Sequence, residues 1–167
     1  RTKDSPQTAD TVGRSLFLDS AVLTLRLAIA GSAPEEKVRG LLRDIAVLQC
    51  WSAVLRSRWN GTSADVIRKW FVLPDPYADM ARNIAALADT NPVGGLSGFV
   101  SEGALRSLRE TGNEQIRRNV DAAAGEAVRD QTLDLRSTVY GPERVLAFLV
   151  AYAVELENLR LALASSV

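Results

Sequence analysis

The sequence predicts an all-α fold, two helical-hairpin repeats joined by a connector of short helices and turns. Three observations carry that expectation. Apolar residues recur at helical spacing through the long segments 12–30, 38–59 and 101–135. No stretch sustains the apolar-polar alternation of a half-buried strand, and the β-branched residues are scattered. The chain's 167 residues, with 47% hydrophobic side chains, are enough for one domain with a core of its own. The expected organisation is a flexible N-terminal segment 1–11 and a single domain 12–167, divided into a hairpin repeat 12–61, a connector 62–100 and a second hairpin repeat 101–166.

The opening run Arg1 to Thr11 is polar and has no apolar segment, so it reads as neither a signal peptide nor an anchor. From Val12 to Ala30, Leu16, Leu23, Leu27 and Ala30 share one helix face, with Val12, Phe17 and Leu25 beside it, and Gly31 is the expected stop. Ser32-Ala-Pro-Glu35 has the form of a capping box and introduces a second helix, Val38 to Trp59. Apolar residues surround much of that helix, which implies burial on more than one side, and Asn60-Gly61 ends it. Asn60-Gly61-Thr62 is also a glycosylation sequon, read here as a helix C-terminus.

Ser63 to Phe71 and Tyr77 to Ala88 read as short helices separated by Leu73-Pro-Asp-Pro76. Thr90-Asn-Pro-Val-Gly-Gly-Leu-Ser-Gly98 is turn-rich; it has no preceding buried strand and no Gly-Lys-Ser/Thr ending, so it reads as a sharply turning linker and not as a phosphate cradle. From Ser101 a long amphipathic pattern resumes, with Gly112 and Gly125 as points of bending or interruption, and its charged face mixes both signs as a solvated surface does. Tyr140-Gly-Pro-Glu143 restarts a helix whose next apolar run, Val145 to Val154, is ten residues without a break, which predicts that its start is almost encircled. A membrane span is not expected there, because Glu155, Glu157 and Arg160 would each cost about 2.5–3.5 kcal/mol near the bilayer centre.

Chemistry is bounded by what is missing. Twenty Lys plus Arg balance twenty Asp plus Glu, and zero net charge supplies no field to gather a nucleic acid. With no His and the single Cys50, His-ligated and multi-Cys metal sites, Ser-His-Asp and Cys-His nucleophiles and an internal disulfide framework are excluded. Cys50 lies in the apolar stretch 45–55 and reads as a small buried hydrophobe, consistent with a reducing, intracellular compartment.

Sliding residues 41–61 onto 145–165 lays one largely apolar helix over another and aligns Leu55-Arg56 with Leu159-Arg160, the pattern of a duplicated hairpin. Convergent Leu and Ala content gives the same match. The closing segment carries Pro142, Glu143, Phe148, Leu149, Glu155, Asn158, Leu159 and Arg160 at the spacing P-E-x-x-x-x-[YF]-L-x-x-x-x-x-E-x-x-N-L-R. It resembles the end of the C-type central-stalk component of the V-type and archaeal A-type rotary ATPases, designated d in eukaryotes. The turn 90–98 and the helix after it resemble that family's final connector, and Ala46 to Gly61 with Val66 to Leu73 resemble the preceding repeat. There Val54 stands in place of the family's Asn, and Asp44 is a loose match to an acidic position.

The resemblance implies a non-catalytic socket, without cofactor, that couples the soluble rotor shaft to the membrane rotor ring: a cytoplasmic protein, peripheral to the membrane through its complex. The partners implied are the central-shaft proteins and the ring, and no nucleic acid. Family members usually have three such repeats, so the two found here, in a chain opening at Arg1, imply a fragment or a shortened relative. The candidate partner-binding residues are Glu155, Glu157, Asn158 and Arg160, with Arg56 added by its alignment with Arg160. Glu157 and Arg160 also fit an ordinary intrahelical pair worth about 0.2–0.5 kcal/mol. The competing class is a stand-alone helical ligand-binding or protein-interaction domain, with Trp51, Trp59, Trp70, Phe71 and Tyr77 lining a pocket. An enzyme using carboxylates and Arg has no convergent motif behind it.

Overall fold

The computed structural model describes residues 6–33 and 35–136, together with 144, 145, 148–150, 152, 153 and 156. Every described element is helical. They are α1 (Pro6–Ser32), α2 (Glu36–Trp59), α3 (Ala64–Trp70), α4 (Met80–Leu87), a 3-10 turn at Gly94–Leu96, α5 (Glu102–Thr111), α6 (Asn113–Arg118) and α7 (Val120–Arg136). Strands are absent among the described residues, as the missing alternation predicts.

The hairpin of α1 and α2 forms as expected, with Leu16, Leu23 and Ala30 buried and Leu27 half-buried. Its details differ in three ways. The helix starts at Pro6, inside the segment assigned to a flexible terminus, and it runs through Gly31 to Ser32. One Gly costs a helix roughly 1 kcal/mol, less than packing along α2 returns. The expected capping box is not made: Glu35 is the N-cap of α2 without a side-chain bond, and the Ser32 hydroxyl donates back to the Ile29 carbonyl at 2.8 Å.

α2 is the hub. It packs on α1, α4 and α7, and buries Ala46 to Leu48 and Cys50 to Leu55. Trp51 is wholly buried, and its indole N-H donates to the Pro92 carbonyl at 2.7 Å. That bond draws the 90–98 loop into the core, where Val93, Gly95 and Leu96 are buried. The segment expected to be a sharply turning linker does turn, and it does so within the core. Its paired glycines serve close approach: a Cβ on Gly95 would stand 2.7 Å from the Ile84 Cα of α4.

The long helix expected after Ser101 is broken twice. Gly112, at φ +78°, ends α5, and Asn119 separates α6 from α7, while Gly125 interrupts nothing. α5 consequently folds back along α7, tied by the Ser107 hydroxyl donating to Asp130 at 2.6 Å. A buried carboxylate sets where α5 begins: Asp44 of α2 accepts the Ser101 backbone N-H at 3.0 Å, and the Ser101 hydroxyl caps Ala104. Residues 101–136 thus hold three helices where one long helix is expected, and the second helix of the expected hairpin repeat lies largely outside the described residues.

Gly95→Ala is expected to lower stability by about 1–3 kcal/mol in urea unfolding, because Ile84 backbone cannot retreat without moving α4. Gly40→Ala, within α2 with open space around it, is the control and is expected to gain up to about 1 kcal/mol. Equal effects at both sites would remove close approach as the reason for Gly95.

Candidate functional site

A furrow runs along α2 between α1 and α7, and it contains the one described residue of the expected partner-binding set. Glu155, Glu157, Asn158 and Arg160 lie outside the described residues. Arg56 lies in the last turn of α2, where a cation complements the helix dipole, and its guanidinium binds Asp121 in the first turn of α7 at 2.5 Å. The two side chains are 50% and 43% exposed, so solvent screens the pair.

Ile45, Gln49, Ser52 and Arg56 follow one another along this face of α2 at helical spacing, an apolar start giving way to polar groups. Gln49 accepts a hydrogen bond from Arg26 of α1, and the Ser52 hydroxyl donates to the Gln49 carbonyl at 3.1 Å. The wider part of the furrow, about 510 Å³, has Leu48, Ala124 and Val128 on its floor and walls and is bordered by Val150 and Ala153 of the closing segment. The narrower part, about 290 Å³, reaches Asp19 and Val22 of α1. The chemistry on offer is shape, apolar area and one screened ion pair.

None of the aromatics expected as pocket lining borders these depressions. Trp51 and Phe71 are core residues, and Trp59, Trp70 and Tyr77 are half-buried against the core. The Trp59 indole N-H is buried with no hydrogen-bond partner. Burial pushes the Cys50 thiol well above its ordinary range, so it stays protonated at neutral and mildly alkaline pH and is a poor nucleophile. Among the described residues no three His, Cys, Asp or Glu side chains converge to hold a metal ion.

The strongest departure from expectation concerns apolar exposure. The unbroken apolar run predicts a closing helix nearly encircled at its start, yet Val145, Phe148 and Leu149 are each more than half exposed, whereas Val150 packs against the core. Residues 18, 22, 25 and 29 of α1 are likewise apolar and exposed. The polar run Gln49, Ser52 and Arg56, at helical spacing along and just after the apolar stretch 45–55, is a usable sign of the furrow. Asp121 carries no such sign, being one acid among many on a mixed face.

No protein-family model, curated protein or solved structure matches the chain.

A double-mutant cycle on Arg56→Ala and Asp121→Ala is expected to return a coupling of about 0.2–1 kcal/mol, as for exposed pairs. A coupling above about 2 kcal/mol would mean that the bridge is desolvated in solution. Cys50 is expected to resist a thiol reagent at pH 8 until denaturant unfolds the chain, the order that burial of the neutral thiol requires. Labelling of the folded protein at the rate of a free thiol would contradict it.

Proposed function

We propose that the chain is a non-catalytic coupling component of a V/A-type rotary ATPase, seated between the soluble central shaft and the membrane rotor ring. The observation that carries the reading is the closing motif, in which Pro142, Glu143, Phe148, Leu149, Glu155, Asn158, Leu159 and Arg160 stand at the family's spacing. A body made of packed helices supports it, because torque passes through a part that does not deform, and α2 is held by helices on several sides. The partners are the shaft proteins and the ring, the position is cytoplasmic and peripheral to the membrane, and the coupling itself needs no cofactor.

A second reading, a stand-alone protein-interaction domain, is favoured by one specific observation: the apolar, exposed outer face of α1.

Affinity isolation of the chain from its source, followed by native mass spectrometry, distinguishes the two. The coupling reading expects shaft and ring proteins in the same assembly, whatever the number of copies of this chain. Their absence overturns it. Arg160→Glu in the complete protein is expected to leave helical content unchanged while weakening attachment to the shaft, since a reversed charge in a partly desolvated contact meets its former partner as a like charge. Unchanged attachment would reassign that cluster to helix structure.

A further inference from the structure

The wider part of the furrow changes character along its length. At one end Arg56 and Asp121 face each other, with Ser52 one turn back along α2. Away from that pair both walls turn apolar, through Leu48 and Ile45 along α2 and through Ala124 and Val128 along α7. Val150 and Ala153 of the closing segment supply a third border. The space so enclosed, about 510 Å³, lies within the range of about 300–1,000 Å³ typical of small-molecule sites.

Length and volume narrow the occupant. Ile45 and Arg56 lie roughly 16 Å apart along the axis of α2, at about 1.5 Å per residue. A partner helix, about 10 Å across with its side chains, would fill on the order of 1,200 Å³ over that length, more than twice the space between the walls. A narrow, unbranched molecule fits, lying along α2 with its apolar part against Leu48 and Val128.

The pair at the polar end sets the head group. Arg56 holds both carboxylate oxygens of Asp121 through the single nitrogen Nη1, at 2.5 Å, and neither its Nη2 nor its Nε bonds another described residue. Both oxygens of Asp121 are engaged, so the unspent side of the bridge is the donor side. Its two nitrogens have the parallel arrangement that takes a carboxylate bidentately. Among the described residues Arg56 is the one cation bordering the wider part. Asp19 and Arg26, in the narrower part, are of opposite sign and add no net charge to this end.

We propose that the wider part of the furrow binds a medium-chain carboxylate, its apolar chain between α2 and α7 and its carboxylate on Nη2 and Nε of Arg56. The guanidinium then joins two carboxylates, that of Asp121 and that of the ligand. The proposal is independent of the rotary reading, and its test uses the purified chain alone. The exposed apolar row of α1, at Leu18, Val22, Leu25 and Ile29, is where the same molecule would adsorb through its chain without this head-group contact.

Isothermal titration of the full chain with octanoate, octan-1-ol and octylammonium tests the assignment. Octanoate is expected to saturate one site, and octylammonium to bind at least about tenfold more weakly, since the guanidinium repels it. Arg56→Met keeps an apolar stem and removes the donors; it is expected to weaken octanoate about tenfold and to leave octanol within about twofold. Ala153→Trp, at an exposed position on the border, is expected to abolish binding of both by filling the furrow, whereas Leu25→Glu changes neither. Circular dichroism of each variant is expected to show unchanged helical content. Equal affinity for octylammonium and octanoate overturns the proposal, and so does an equal loss of octanol and octanoate in Arg56→Met. Uptake without saturation, or uptake that Leu25→Glu removes, places the molecule on the exposed row and also overturns it. Absence of octanoate binding below its micellar concentration does the same.

Discussion

The full burial of Trp51 against the 90–98 loop is the constraint on which the rest of the fold depends. An indole at the middle of α2 offers a large apolar area and one donor that must find an acceptor. The acceptor is the Pro92 carbonyl, forty-one residues along the chain. Once that loop is held in the core, Gly95 has to lie flat on Ile84, α4 is fixed, and the chain emerges at Ser101 beside Asp44. Asp44 then accepts the Ser101 N-H at the start of α5, and α5, α6 and α7 follow as a unit packed back on α2. Two polar contacts on one helix thus determine how the segments on either side of the connector meet.

The helical period and the strongest punctuation are legible in the sequence. The core face of α1, the burial of α2 on several sides, the stop at Asn60-Gly61 and the short helices at 64–70 and 80–87 can all be read from spacing and from Gly and Pro. Which of two glycines interrupts an amphipathic pattern cannot. Gly112 and Gly125 look alike in sequence, yet only Gly112 takes a positive φ, because folding α5 against α7 demands a reversal there. The place of the 90–98 loop is hidden for a related reason. Turn-rich composition says that a chain bends, not whether the bend lies outside the core or within it, and the deciding contact comes from Trp51, far away in sequence.

The furrow is half legible. Arg56 enters the candidate set through its alignment with Arg160, and it does occupy a distinctive place, bridging α2 to the start of α7. Its partner Asp121 depends on tertiary packing and on a helix boundary at Asn119 that no periodicity announces. The run of apolar residues after Arg144 raises the opposite difficulty. Ten in succession predict an encircled helix, but periodicity cannot say whether the enclosing surface belongs to the same chain, and here the described positions are largely open to solvent.

That openness has an energetic logic once the two sides of α1 are compared. The inner side carries no charge and is committed to α2, with Ser20 and Thr24 satisfied by carbonyls of their own helix. The outer side is equally apolar along its seam, but Asp19 and Arg26 stand at the edge and not in the row. Covering such a face removes hydrocarbon from water, worth about 25 cal/mol per Å², without stripping either charge of solvent. A helix that had evolved only to shield the core would put its charges in the middle of the outer face, as α5 does with Arg106, Arg109 and Glu110. In α1 the charges border an apolar row instead, so the exposed hydrocarbon of that row and the charges beside it occupy separate strips of the helix surface.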